Sequence, residues 1–443
     1  MDPKLPPQDI EAERSVLGAL MLDKNAIIKV ADLITANDFY SPSHSKIYEA
    51  VIELFNRNEP IDILSVTNKL KNKDQLTDIG GSSYLTELIN SVPTASHINH
   101  YAKIIRDKKV LRDLITASAE INERVFENVE NSDNLLDEIE QKIFSIAQKS
   151  RPQNFVHIKD ELKAAYERIE RVHQGEKGLR GTPTGFDEID HYLSGLQKSD
   201  LVILGARPSV GKTTLVLDMA RNAANRGFGV AIFSLEMSRD QIIDRLISAE
   251  AQVPLWRLRT GRLTDEMEFA MIQESLDRLS KYPIYIDDTA SANILQIRSM
   301  ARRLQTECHN LGLIIVDYVQ LVTPRTSSEN IVQQFTEISH GLKALARELN
   351  LPVLAVSQLS RAVDQREIKV PRLSDLRETG ALEQDADVVM FIYRKDRDKL
   401  NPSLEEENMA EIIIAKHRNG PLGTVQLKFD QDKVSFRQID KMH

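Results

Sequence analysis

Chemistry concentrates in a few short stretches of the chain. In "LVILGARPSVGKTTLVLDMARNAANRG", residues 201–227, an apolar run, a loop and a helical pattern ending before Gly227 follow one another. The loop meets the phosphate-binding pattern G-x-x-x-x-G-K-[S/T] at Ala206, Gly211, Lys212 and Thr213. Alanine replaces the first glycine, and Gly205 sits one residue earlier. The strand–loop–helix context is what gives this variant its meaning. Ser209, Val210, Gly211, Lys212, Thr213 and Thr214 are the candidate nucleotide-binding residues. Backbone N–H groups of such a loop, together with the helix N-terminus, offer dipoles to phosphate oxygens. Lys212 is placed to neutralise β- and γ-phosphates of ATP, and the Thr213 hydroxyl to coordinate Mg²⁺.

Three more apolar runs end in a polar residue. "LGLIIVDYVQL" delivers Asp317, a carboxylate suited to a metal's water shell. "GVAIFSLEMS" leads to Glu236, which can polarise an attacking water. "LPVLAVSQLSR" presents Gln358, a neutral group able to hydrogen-bond a γ-phosphate and report its loss. Taken singly, each is equally a capped or satisfied strand end; jointly, downstream of a phosphate loop, they favour a nucleotide site.

A fifth stretch differs in charge. "AEIIIAKHRNGPLGTVQLKF", residues 410–429, reads as a buried strand over Ile412–Ala415, then Lys416, His417 and Arg418. Turn residues Asn419, Gly420 and Pro421 follow, then a second strand with Val425, Leu427 and Phe429 alternating. Side chains two apart in an extended segment share a face, so Lys416 and Arg418 point the same way and call for an anion.

These residues need elements to hold them. At 443 residues and 50.2 kDa the chain exceeds one ordinary core, and two domains are expected. With 41% hydrophobic and 28% charged residues the composition is that of a soluble globular protein. No apolar segment approaches the roughly 20 residues of a membrane span, and "MDPKLPPQDIEAERSVLGALML" lacks a signal-peptide pattern, so a cytoplasmic protein without membrane contact is expected. One cysteine, Cys308, excludes internal disulfides and cysteine-cluster zinc. The net charge of −9 divides as −7 over residues 1–150 and −2 over the remainder, so a polyanion belongs to a local site in the second part.

Residues 1–149 read as an all-helical domain. Leu17, Leu20 and Met21, and Ile47, Val51, Leu54 and Phe55, fall at helical spacing, and patterns around 100–128 and 134–149 suggest a C-terminal helical hairpin. The expected linker, 150–179, carries one amphipathic helix with Ile158, Leu162, Ala165, Ile169 and Val172 on a single stripe. That stripe must be buried against this chain's core or a neighbouring subunit. From about 180 strands and helices alternate, with strands expected at 201–204, 230–235, 284–287, 313–317, 352–357, 387–393, 411–416 and 424–429. Those up to residue 357 are separated by helix-length segments, which implies crossover connections and a mainly parallel sheet with chemistry beyond the carboxyl ends of its strands.

The four strand ends, together with "EAERSVLGALML", "GTPTGFDEIDHYLSGL", "FSLEMS", "LRETGALEQDAD" and "AKHRNGPLGT", make the chain resemble bacterial replicative DNA helicases of the DnaB family along nearly its whole length. The resemblance implies a RecA-like α/β P-loop ATPase motor at 180–443, preceded by an all-α collar domain and a linker helix. It implies a homohexameric ring that encircles single-stranded DNA, translocates 5′ to 3′ at the expense of ATP, and works with a primase and a helicase loader. Lys416 and Arg418 would then reach the γ-phosphate held by the next subunit, with Arg245 lining the pocket. A surface pair or a DNA-backbone contact is the simpler reading of Lys416. In the long segment 359–386, Arg361, Arg377, Glu378 and Gly380 would contact the DNA strand. The segment has no aromatic residue, so it would follow phosphates with little sequence preference.

Two other functions fit some of these residues. A RecA-type recombinase filament shares the phosphate loop and the trans cations, but has no need of the acidic helical domain. An ATP-gated assembly scaffold needs no water activator at Glu236.

Overall fold

The computed structural model describes residues 5–439, apart from 24, 93, 94, 96, 264 and 325–330 and most of 127–178 and 399–405. The second arm of the expected helical hairpin and the linker helix at 158–175 therefore lie largely outside the described residues. The chain forms two compact units, Met1–Glu167 and Arg168–His443.

The first unit packs α1 (Ile10–Leu22), α2 (Ala26–Val30), α3 (Pro42–Asn56), α4 (Ile63–Asn72), α5 (Gly81–Asn90) and α6 (Ile98–Phe126) around one apolar core. The helix starts are written in the sequence. Asp9 accepts the Ala12 N–H at 2.9 Å and Asp62 accepts that of Ser65 at 2.8 Å. A buried polar triad crosses this core, where the sequence suggested plain packing. Glu13 accepts Tyr40 N–H at 2.6 Å and meets His44 Nδ1 at 2.6 Å, while His44 Nε2 meets the Tyr84 hydroxyl at 2.7 Å.

The second unit is a nine-stranded sheet with helices on both faces. Its strands are β1 (Leu201–Ala206), β2 (Gly229–Ser234), β3 (Ile284–Asp287), β4 (Leu311–Asp317), β5 (Val353–Gln358), β6 (Val388–Tyr393), β7 (Met409–His417), β8 (Gly423–Asp430) and β9 (Ser435–Gln438), in spatial order 3-2-4-5-1-6-7-8-9. Helices α7 (Asp187–Leu193), α8 (Lys212–Asn225), α9 (Arg239–Ala251), α10 (Leu255–Thr260), α11 (Glu266–Leu279), α12 (Ile294–Glu307), α13 (Ile331–Leu349) and α14 (Gly380–Asp385) complete it. Period-2 alternation sends Val202, Leu204 and Ala206 into the core shared with α8 and α9, and Leu201 and Ile203 into the core shared with α12 and α13. Each such Val, Leu or Ile side chain contributes about 1.5–3 kcal/mol on burial, so a strand covered on both faces must be apolar throughout, which is why β1 reads as an unbroken run.

Strands β1 to β6 pair in parallel, as the crossover spacing implied for those up to residue 357. Strands β7, β8 and β9 extend the sheet antiparallel. Two details depart from expectation. The run Ile412–Ala415 is buried on one face only, since Ala410, Ile412 and Ile414 are enclosed while Ile413 and Ala415 are half-buried. Strand β9 is too short to show a period. It is held by a group from far upstream: Asp218 on α8 accepts the Phe436 N–H at 2.7 Å and the Ser435 hydroxyl at 3.0 Å.

Burial pushes the Asp218 carboxyl up to about 6. Its unfolded value is about 3.9, so between those limits the native state holds the extra proton. The contribution of this group to stability is full below about pH 4 and is lost as pH rises to about 6. In urea melts from pH 4.5 to 7, the wild-type chain should lose ground against Asp218→Asn as pH rises. Parallel midpoints would contradict the shift.

Candidate nucleotide site

The loop between β1 and α8 is shaped by backbone demands that its residue types meet. Ser209 (φ 64°) and Gly211 (φ 106°) are left-handed. A Cβ on residue 211 would also lie 2.9 Å from Phe436 Cζ, so conformation and space both require glycine there. Gly205 answers a packing demand, because a Cβ would sit 2.6 Å from Phe391 Cδ1. Ala206 is fully buried at the strand end and Val210 is buried within the loop.

The side chains called on for phosphate chemistry converge. Lys212 Nζ lies 2.6 Å from Glu236 Oε2 and 3.9 Å from Asp317 Oδ1, over the Tyr318 ring at 3.6 Å from its centroid. Thr213 donates its hydroxyl to Asp317 Oδ2 at 2.6 Å. Arg245, half-buried on α9, reaches the Thr214 hydroxyl at 3.4 Å, and desolvation followed by the nearby Arg259 holds its pKa below the usual guanidinium range. Asp317 is almost fully enclosed, and burial raises its pKa against the opposing pull of Lys212 and Thr213. Its Oδ1 accepts no hydrogen bond from the described residues. A buried carboxylate oxygen left over beside a threonine hydroxyl fits a hard divalent cation with water and phosphate as its remaining ligands. Among the described residues no group of three His, Cys, Asp or Glu could hold a metal by itself.

Gln358 closes β5 at the same sheet edge, half-buried. Its backbone is clamped by Gln320, whose amide donates to Gln358 O at 3.0 Å and accepts from Gln358 N at 3.2 Å. Neither Tyr318 nor Gln320 was singled out from the sequence. Both sit in "DYVQL" immediately after Asp317, where a polar residue inside an apolar stretch was the available signal.

Lys416 and Arg418 stand elsewhere, which corrects the expectation that all strand ends gather at one edge. Because β7 runs antiparallel to β6, Lys416 pairs with Val389 and His417 with Val388, level with the start of β1. The phosphate loop lies past its end, roughly 17 Å away along the strand. The two cations do share a face. Lys416 Nζ donates to Glu383 O at 2.5 Å; Arg418 donates to Gln384 O at 2.8 Å and to Asp387 Oδ1 at 3.2 Å. Burial, then Arg418, lowers the Lys416 pKa. Asp387, an unremarked acid before β6, is the positioning group: it also takes the Lys343 ammonium at 2.5 Å and the Leu201 N–H at 2.8 Å.

Segment 359–386, which reads from the sequence as a long loop, is built of short helical turns at Arg361–Gln365 and Leu373–Thr379, followed by α14. The side chains of Arg361, Arg377 and Glu378 lie outside what the structure describes. Gly380 is exposed, and no heavy atom stands within 4 Å of where a Cβ would be.

Comparison with known proteins agrees along the whole chain. Residues 181–438 match the family model "DnaB-like helicase C terminal domain" and residues 5–107 match "DnaB-like helicase N terminal domain". The replicative DNA helicase DnaB of Geobacillus stearothermophilus is 46% identical over 440 residues, covering 99% of this chain and 96% of that protein. The replicative DNA helicase DnaC of Bacillus subtilis (strain 168) is 44% identical over 443 residues, covering 100% and 97%. A solved structure described as "The Structure Of A DnaB-Like Replicative Helicase And Its Interactions With Primase" superposes with a TM-score of 0.78 at 30% identity, covering 98% of this chain and all of that one. A second solved structure, described as an ATPase domain, superposes with a TM-score of 0.61 at 36% identity over 65% of this chain and all of that domain.

Proposed function

This chain belongs to the DnaB-like helicase family and is an ATP-dependent replicative DNA helicase, and from that premise we propose that its active site is divided between neighbouring copies in a homohexameric ring. The observation that carries this is the strand reversal at β7. The phosphate loop and the Lys416–Arg418 pair occupy opposite edges of one sheet, so one copy cannot bring them together. A head-to-tail interface does, and such interfaces close into rings.

In this reading the loop N–H groups of Ser209–Thr214 and Lys212 hold the ATP phosphates, and Lys212 exchanges Glu236 for them. Glu236, so released, accepts a proton from the attacking water. Thr213 and Asp317 would hold Mg²⁺, which would supply positive charge to offset that of the phosphates. Arg245 steadies the loop through Thr214, and Gln358 senses the γ-phosphate. Arg418 and Lys416 of the neighbouring subunit stabilise the charge that develops on transfer. Arg361, Arg377 and the open Gly380 backbone follow the phosphates of a single strand, with Glu378 orienting Arg377. The solved relative described with primase supports a primase contact here too, and a ring that must open onto DNA calls for a loader. The protein would act in the cytoplasm, at the replication fork. Among the described residues no helix is long and apolar enough to cross a membrane.

The test uses two forked duplexes, one blocked on each tail, with Mg-ATP and full-length protein. Unwinding should require a free 5′ tail and disappear in Lys212→Ala. Opening that needs a free 3′ tail instead would overturn the polarity, and opening by Lys212→Ala would overturn the site.

A further inference from the structure

A second cation of the phosphate loop faces away from the nucleotide chemistry. Lys212 points to the β2 and β4 side, where Glu236 and Asp317 lie. Arg207 turns to the β5 and β6 side. There it donates to Asp398 Oδ1 at 2.5 Å and pairs with Asp364, with four-fifths of its side chain buried. Pro208 restricts the backbone immediately after it.

Asp364 belongs to the turn Arg361–Gln365, which opens the segment leading to Gly380. From that turn the connection continues through buried Asp375. Ser360 N–H donates to Asp375 O at 3.1 Å, the Arg366 guanidinium pairs with the Asp375 carboxylate, and the same carboxylate accepts Arg372 N–H at 2.7 Å. Asp375 lies in the turn Leu373–Thr379 that abuts Gly380. Ion pairs and hydrogen bonds, joined by the backbone of two short turns, thus run from the phosphate loop to the segment read above as the DNA contact.

We infer that Arg207, through Asp364, is a positioning residue that ties nucleotide occupancy of the phosphate loop to the DNA-contacting segment of the same subunit. The inference rests on the DNA reading of Arg377 and Gly380. Its content is a coupling between two binding equilibria, and such a coupling is reciprocal. The factor by which an ATP analogue raises affinity for DNA equals the factor by which DNA raises affinity for the analogue. Spatial continuity alone does not establish such a tie; a change in the factor does.

The full-length protein is titrated with a fluorescent oligothymidylate in a non-hydrolysable ATP analogue and in ADP. The wild-type chain should show a ratio in the range of about 5–150. Asp364 is half-exposed and is none of the residues assigned above to ATP or DNA, so Asp364→Ala should fold and bind nucleotide without DNA as the wild type does. Removing an acid near a DNA path strengthens DNA binding in both nucleotide states, and the ratio cancels that change. In Asp364→Ala and in Arg207→Ala the ratio should fall by more than about twofold from the wild-type value, the double variant should lose no more than either single, and Asp364→Glu should recover most of it. A ratio in Asp364→Ala within about twofold of the wild type overturns the tie, as does a further loss in the double variant. A wild-type chain that ignores the oligonucleotide in both nucleotide states overturns the DNA reading and the tie together, whereas an unaltered ratio in Asp364→Ala with DNA binding intact overturns the tie alone.

Discussion

Arg418→Ala should lower DNA-stimulated ATP turnover by about 10³–10⁵-fold, the range by which a trans arginine accelerates phosphoryl transfer. The fold should survive. Arg418 is half-exposed on its hairpin, and Asp387 keeps the Lys343 ammonium and the Leu201 N–H when the guanidinium is gone. What distinguishes a shared site from a private one is a mixture. Arg418→Ala subunits retain a phosphate loop, and Lys212→Ala subunits retain the cations. Co-assembled in equal amounts, two inactive proteins would regenerate intact sites at about a quarter of their head-to-tail interfaces. Turnover should therefore reappear on mixing. If it does not, and both proteins are shown to co-assemble, the division of the site between copies is wrong.

Glu236→Gln should lower turnover by about 10²–10⁴-fold, the usual contribution of a general base. ATP binding should hold or tighten, because the same substitution removes the carboxylate that occupies Lys212 at 2.6 Å. Single-turnover hydrolysis together with equilibrium titration separates the two effects. A turnover loss of less than about tenfold would move the base role away from Glu236. Weaker ATP binding would mean that the ion pair shapes the loop rather than holding its lysine in reserve.

What the sequence disclosed about this site was what is local. Ala206–Thr214 is one contiguous loop whose residue types answer its own backbone, and Asp317 and Gln358 each end a strand whose burial on both faces made it visible. The parallel part of the sheet was legible for the same reason. Strand direction was not. Residues 394–408, between β6 and β7, are long enough for a crossover, so nothing in their spacing announced that β7 runs back and carries Lys416 and Arg418 to the far edge. Partners distant in the chain were equally hidden. Arg207 meets Asp398 across 191 positions and Asp218 meets Phe436 across 218, and periodicity carries no information about such pairs. Residues 361–385 lacked a period because their turns are too short to repeat one. The acids at 364, 375 and 387 looked like surface charge until their cationic partners were known.

The seating of Phe436 beside Gly211 bears on how the protein is made. The aromatic ring that backs the phosphate loop, and the strand that carries it, leave the ribosome 218 residues after Asp218, the group that will hold them. At roughly 5–20 residues per second, that is a delay of about 10–40 s. During it a nascent chain already displays Lys212 but lacks the wall against which its loop is packed. Firm nucleotide capture should therefore wait until β9 has been made and seated.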